Sequence, residues 1–149
     1  MTVTATTDPL ALDRQVCFAL AVATREVVAL YRPVLEPLGL THPQYLVMLA
    51  LWERDCRSLR DLSHTLALDP GTLSPLVKRL EAAGLIRRER DPGDERLLAV
   101  TLTPAGRALR RKAERVPGQI VARLGLPVSE LEKLNTVLRT VIKAASPPV

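Results

Sequence analysis

Cys17 and Cys56 are the only thiols in this sequence, and His42 and His64 its only imidazoles, so nucleophilic, redox or metal chemistry must be assembled from few parts. Cys17 sits in Asp13-Arg14-Gln15-Val16-Cys17-Phe18. With Asp13 as the N-cap of a helix, Cys17 is the fourth helical residue, close to the positive helix end, and Arg14 lies one turn before it on the same face. Both influences favour the thiolate, the form that attacks a peroxide. The apolar neighbours Phe18, Leu20 and Ala21 oppose ionisation by desolvation, yet they offer a greasy surface suited to an alkyl or lipid peroxide. These residues alone leave Cys17 open between a small core hydrophobe and a reactive thiol. With His42 as base it could also serve a thiol peroxidase, although no resolving cysteine is evident. Cys56 lies in Arg54-Asp55-Cys56-Arg57, between basic residues that also favour a thiolate. The four residues Cys17, Cys56, His42 and His64 lack the ligand-pair spacing of a zinc site, and no cofactor is expected.

The charge points elsewhere. The chain of 149 residues carries a net +5, and residues 57 to 112 hold twelve Lys/Arg against seven Asp/Glu, whereas the remainder holds nine of each. A basic segment between neutral flanks is the footprint of a duplex-binding module on an uncharged scaffold; a merely solvated basic surface is the alternative. At 47% hydrophobic residues the chain is too apolar for disorder. Its longest apolar runs, Phe18 to Ala23 and Tyr45 to Trp52, fall far short of the roughly 18 to 20 residues of a membrane span, so no membrane association is expected. MTVTATTDP lacks a basic stretch followed by an apolar segment, which predicts a cytoplasmic protein. Two cysteines cannot make a disulfide scaffold. Four aromatics (Phe18, Tyr31, Tyr45 and Trp52) are too few for a single-strand stacking platform.

Apolar spacing then supplies the elements. Leu12, Val16, Leu20, Ala23, Val27 and Tyr31 form one helical stripe from Asp13 to about Arg32, before Pro33. Cys17, Phe18, Ala21 and Val22 fill the other side, so residues 16 to 23 are apolar all round and call for a partner subunit. Gln44 to Arg54 form a second, strongly apolar helix. Ser58 and Asp61 resemble a capping box for a short third helix carrying Leu59, Leu62 and Leu66. Asp69 and Pro70 begin a fourth, with Leu73, Leu76, Val77, Leu80 and Ala83 buried and Gly84 ending it. Pro75 within it should distort the first turns. Leu85 to Arg90 and Leu97 to Leu102 read as a basic hairpin around Asp91-Pro92-Gly93-Asp94. Thr103-Pro104 opens a fifth helix reaching about Leu124, and Ser129 with Glu132 caps a sixth, striped by Leu131, Leu134, Leu138, Val141 and Ile142. The fold class is mainly α with a small β-hairpin: a winged helix-turn-helix with N- and C-terminal dimerisation helices. The expected organisation is a flexible 1–10, a helical dimerisation scaffold with the sensor helix at 11–56 and 104–145, a winged helix-turn-helix at 57–103, and a flexible tail at 146–149.

The run from Asp69 to Glu81, Asp94-Glu95-Arg96, and Leu102-Thr103-Pro104-Ala105-Gly106-Arg107 resemble the MarR family of bacterial transcriptional regulators, whose members commonly carry a proline where Pro75 stands. The likeness spans about residues 10 to 145. Leu12, Gln15, Cys17 and Phe18, Tyr31-Arg32-Pro33, Thr41, Pro43-Gln44-Tyr45-Leu46 and Trp52-Glu53 narrow it to the organic hydroperoxide resistance regulators, OhrR. The resemblance implies a homodimeric repressor that leaves a pseudo-palindromic operator in double-stranded DNA when a first-helix cysteine is oxidised by an organic hydroperoxide. It implies that partner-subunit phenols bond the thiolate. Tyr31 matches one of them, whereas Ala21 and His42 stand at two other tyrosine positions of the family's pocket. His42 could replace a phenol, as a neutral donor or as a charge. Family members that form an intersubunit disulfide use a cysteine in the C-terminal helices, and this chain has none beyond Cys56. Hence the expected product is a sulfenic acid at Cys17, followed by a mixed disulfide with a small thiol or by over-oxidation.

On the DNA side, Thr72, Ser74 and Lys78 are expected to face the major groove, above the Asp69-Pro70 helix start; Pro70 replaces a serine often found in the family. Arg96 should enter the minor groove, oriented by Asp94, while Arg79, Arg88 and Arg90 pair with phosphates; Arg79 could instead bridge Glu81 or Asp61. A regulator answering a small ligand without redox chemistry keeps the same fold. Either way, no enzyme is expected.

Overall fold

The computed structural model describes residues 8–90, 93 and 98–148. Most of the expected flexible N-terminus therefore lies outside the described residues. Helix α1 (Val16–Leu35) starts later than Asp13 predicts, because Asp13 belongs to a preceding 3-10 turn, Leu12–Arg14. Gln15 is the N-cap, its side chain donating to the carbonyls of Pro9 (2.9 Å) and Ala11 (3.0 Å) rather than to its own helix. Those bonds hold Gln15 extended, so the helix cannot begin before Val16. Pro33 does not stop α1 either: Val34 and Leu35 are buried beyond it, and their packing outweighs one lost amide donor near the helix end.

Helix α2 (His42–Glu53) begins two residues before the expected Gln44, because Thr41 and Gln44 form a complete capping box. A two-residue strand, β1 (Arg57–Ser58), leads into α3 (Leu59–Leu66), capped by Ser58 on the Asp61 amide. After α4 (Pro70–Ala82) come β2 (Ile86–Arg90) and β3 (Leu98–Leu102). The sheet is antiparallel in the order β1-β3-β2, with Ile86 opposite Leu102, Arg90 opposite Leu98 and Arg57 opposite Val100. The expected single helix over 104–124 is two, α5 (Pro104–Ala113) and α6 (Val116–Leu124). Pro117 has no N–H to offer the Ala113 carbonyl, so the helix stops and restarts with proline in its first turn. Helix α7 (Val128–Ala145) starts ahead of Ser129 without a side-chain cap; the Pro127 carbonyl receives the Glu130 and Leu131 amides instead.

One core joins α2, α3, α4 and the sheet: Val47, Met48, Leu51, Leu62, Leu73, Val77, Leu80, Ile86 and Val100 are all nearly sealed from solvent, with Leu35 and Val116 closing it from α1 and α6. Trp52 ties α2 to α5, its indole N–H donating to the Gly106 carbonyl at 2.9 Å. In contrast, α7 buries no residue and α1 buries only its last two. These terminal helices present Val16, Phe18, Leu134, Val137, Val141 and Ile142 to solvent.

Arg57 is the one charged residue in the core among the described residues, 9% exposed. Its Nε lies 3.0 Å from Asp61 Oδ2, and its Nη1 has no hydrogen-bond partner among the described residues. Asp61 also receives Arg54 at 2.6 Å. Desolvating a guanidinium offsets most of what its ion pair returns, whereas stripping away its carboxylate leaves a buried unpaired charge. Accordingly, Asp61→Ala should lower unfolding free energy by about 2 kcal/mol, discounted because that carboxylate is partly solvated, while Arg57→Leu should be neutral or mildly stabilising. Urea denaturation of both variants checks this; equal midpoints for Asp61→Ala and wild type would show the pair to be inert.

Candidate nucleic-acid interface and thiol site

Helix α4 opens on Asp69, whose carboxylate accepts the Thr72 amide at 2.9 Å and the Thr72 hydroxyl at 2.8 Å. Those two bonds hold the Asp69 carboxyl below its usual pKa, so it caps as an anion. The second also occupies the Thr72 proton, leaving that hydroxyl free only to accept. Pro70, Thr72, Lys78 and Arg79 are exposed and Ser74 is half-buried. Pro75 sits on the exposed side within an unbroken helix; the distortion expected of it is confined to the missing bond to the Gly71 carbonyl.

Arg88, expected on a phosphate, is bonded inward: its Nε and Nη2 donate to Glu81 Oε1 at 3.1 and 2.9 Å, and its amide to Oε2 at 2.8 Å. The guanidinium lowers the Glu81 pKa, and the pair fastens β2 to α4. Because Arg88 claims Glu81, and Arg54 and Arg57 claim Asp61, neither carboxylate is left for Arg79. Arg79 and Arg90 are thus exposed cations without an ion-pair partner among the described residues. Asp94 and Arg96 lie outside the described residues. Sequence reasoning gave Arg60 no site role and weighed His64 only as a zinc ligand; one turn apart on α3, the two line a hollow of about 570 Å³ together with Pro70 and Ser74. Their i, i+4 spacing was the available signal.

The candidate thiol lies on α1, outside the α3–α4 pair and the sheet. Cys17 is exposed and is the second residue of α1, nearer the positive helix end than the expected fourth position. Arg14 belongs to the preceding 3-10 turn and so does not lie one helical turn away on the same face. Phe18 and Ala21 are exposed beside Cys17. Fourteen residues separate Cys17 from Tyr31 on one continuous helix, a rise of about 21 Å, so the two cannot meet within one chain.

Tyr31 instead belongs to an aromatic group with His42 and Tyr45, at centroid separations of 4.8 Å from His42 and 5.9 Å from Tyr45. Tyr45, read as part of the apolar second helix and of the family likeness, is buried; only the folded contact between α1 and α2 reveals it as the third ring. Burial raises the pKa of Tyr31, and burial followed by repulsion from Tyr31 raises that of Tyr45. Burial lowers that of His42. All three rings are therefore neutral near pH 7, hydrogen-bond donors rather than charges. A hollow of about 500 Å³ opens beside His42, lined also by Val28, Arg32, Leu40 and Thr41. Cys56 is exposed in a left-handed backbone conformation (φ 60°), its amide donating to Asp55 Oδ1 at 2.7 Å.

Comparison with known proteins places these geometries in context. The MarR family model matches residues 40–98. The chain is 38% identical over 136 residues to the organic hydroperoxide resistance transcriptional regulator of Bacillus subtilis, covering 91% of this chain and 92% of that protein. Among solved structures, reduced AbfR bound to DNA is 34% identical with a TM-score of 0.72, covering 89% of this chain and 93% of that one. Bordetella bronchiseptica BpsR, whose DNA binding is regulated by 6-hydroxynicotinic acid, is 30% identical with a TM-score of 0.81, covering 93% and 99%.

Proposed function

The chain belongs to the MarR family and is a DNA-binding transcriptional regulator, and from that premise we propose that it is a homodimeric repressor released from its operator when an organic hydroperoxide oxidises Cys17. The carrying observation is the placement of Cys17: an exposed thiol in the first turn of a helix whose surrounding apolar face has no cover within the chain. Covering that face with a second copy, related by a two-fold axis, can bring the partner's phenol-bearing end of α1 to the thiol, which one chain cannot do for itself. Tyr31, and His42 as a neutral donor in place of a tyrosine, then stabilise the thiolate, with Phe18 and Ala21 forming the apolar approach. Thr72, Ser74 and Lys78 read the major groove, Arg79 and Arg90 bind phosphates, and Asp94 and Arg96 serve the wing. Acting on operator DNA, such a regulator works in the cytoplasm, and the named relatives are regulators rather than enzymes.

In the redox step the Cys17 thiolate attacks the terminal peroxide oxygen. The S–O bond forms as the O–O bond breaks, the alcohol leaves with a proton, and sulfur is oxidised by two electrons to the sulfenic acid. A small thiol then condenses with it, releasing water and leaving a mixed disulfide. The hollow beside His42 favours one other reading, a small ligand bound there without redox chemistry. A binding titration on a duplex site selected from a random pool separates them. Cumene hydroperoxide should weaken binding by wild-type protein at least tenfold and leave Cys17→Ser unchanged. Equal release of both proteins would overturn the sensor assignment.

A further inference from the structure

Arg60 and His64 share one face of α3, with β-carbons about 6 Å apart at that spacing, and both are exposed. Across the hollow that they line, α4 presents Pro70 and the half-buried Ser74, with Leu59 of α3 between. The side chains of Arg60, His64 and Ser74 have no hydrogen-bond or ion-pair partner among the described residues. The carboxylates nearest in sequence are committed elsewhere, Asp61 to Arg54 and Arg57, and Asp69 to Thr72. The other elements packed on α3 supply no free anion. In α2, Glu53 lines a separate hollow beside α5, while His42 and Tyr45 pack on Tyr31. Arg57 of β1 is turned to Asp61, and β3 has no ionisable side chain. Helix α4 adds Lys78, one turn beyond Ser74, and Arg79, while Arg88 holds its Glu81. The hollow thus has a cationic rim and runs into the first turns of α4.

We propose that, with α4 in the major groove, the reading on which this contact rests, Arg60 and His64 clamp the sugar-phosphate backbone of the operator and His64 takes up a proton from solvent as it does so. A phosphodiester is an anion flanked by sugar carbons: its oxygens suit Arg60, His64 and the Ser74 hydroxyl, and its sugars suit Leu59 and Pro70. An anion beside an imidazole favours the protonated ring, and by reciprocity a protonated ring favours the anion, so acid strengthens binding. Histidine is the side chain suited to such a response, because its charge changes between about pH 5 and 8. The chain has only two imidazoles, and burial disfavours the charge on the other, His42, which lies outside the reading head. Acidification therefore acts on DNA binding through His64. It tightens the regulator on its site, whereas oxidation of Cys17 releases it.

The full reduced chain is titrated with the selected duplex at about pH 7.5 and about pH 6, at constant ionic strength, two conditions that bracket the ordinary titration of an imidazole. Wild-type affinity should rise about fivefold or more on acidification, and His64→Gln should lose that rise. At the higher pH, Arg60→Gln should weaken binding about fivefold and lower the slope of log affinity against log salt by about one per protomer. Both side chains are exposed, so thermal melting of the two variants should match wild type. A wild-type affinity indifferent to pH, an acid response that persists in His64→Gln, or a salt slope unaltered in Arg60→Gln would each overturn the clamp. Lys78→Ala is measured beside them. If it alone weakens binding, the clamp fails and the major-groove reading of α4 stands; if none of the three variants differs from wild type, both fail.

Discussion

Gly106→Ala should lower the unfolding free energy by about 3 kcal/mol or more, a large part of what a domain of this size possesses. A β-carbon at position 106 would stand 2.0 Å from the Leu85 carbonyl oxygen and 3.1 Å from its carbon. Both are backbone atoms, so no rotamer relieves the clash; α5 and the α4–β2 link must part by about 1 Å or more. That contact is fastened on every side. Leu85 O receives the Thr103 amide at 3.1 Å, and the Thr103 hydroxyl donates to Gly84 O at 2.6 Å while capping the Gly106 amide. The Gly106 carbonyl in turn holds the Trp52 indole. Parting the two segments therefore strains the α5 cap and the Trp52 bond together, each worth roughly 1 kcal/mol. Gly118→Ala is the matched control, because a β-carbon there, in the first turn of α6, meets nothing within 4 Å. It should be neutral or stabilise by up to about 1 kcal/mol. Urea melts of the two variants decide the matter: coincident curves for Gly106→Ala and wild type would refute the close approach.

What could be read in advance was local chemistry. Asp69-Pro70 marks the start of α4 correctly because a cap and a first-turn proline act within four residues, and the hairpin strands agree within one residue because their alternation is local. Asp13 misled because Gln15, a poorer N-cap by type, is held extended by bonds to Pro9 and Ala11. β1 was invisible, since two residues carry no periodicity and Arg57 becomes strand only by pairing with Val100 across 43 positions. Pro117 was in plain view, yet the apolar pattern ran through it and concealed the break. Arg88 was basic by composition, and only the fold shows that Glu81 holds it. The thiol site is harder in kind: Cys17 and Tyr31 share a helix that keeps them apart, so a meeting of the two belongs only to the proposed dimer.

That dependence gives the second large effect. Replacing Val137 and Ile142 with aspartate should yield a monomer whose operator affinity falls about 10²- to 10⁴-fold, since two linked half-site contacts become one. Both side chains are exposed, 59% and 62%, so no packing within the chain is lost and melting of the core should change little. Helix α7 spans 18 residues yet buries none of them. A helix of that length is only marginally stable alone in water, so its stripe needs a covering surface. The exposed apolar face at the start of α1, with Val16 and Phe18, has the same deficit, and a self-complementary pairing meets both at once. Light scattering and duplex titration measure the two halves of the expectation. A doubly substituted protein that stays dimeric with full affinity would move the interface elsewhere. If it becomes monomeric as expected, Cys17 should also lose its answer to peroxide in the binding assay, because an oxidised sulfur on an unpaired helix has no partner subunit to displace.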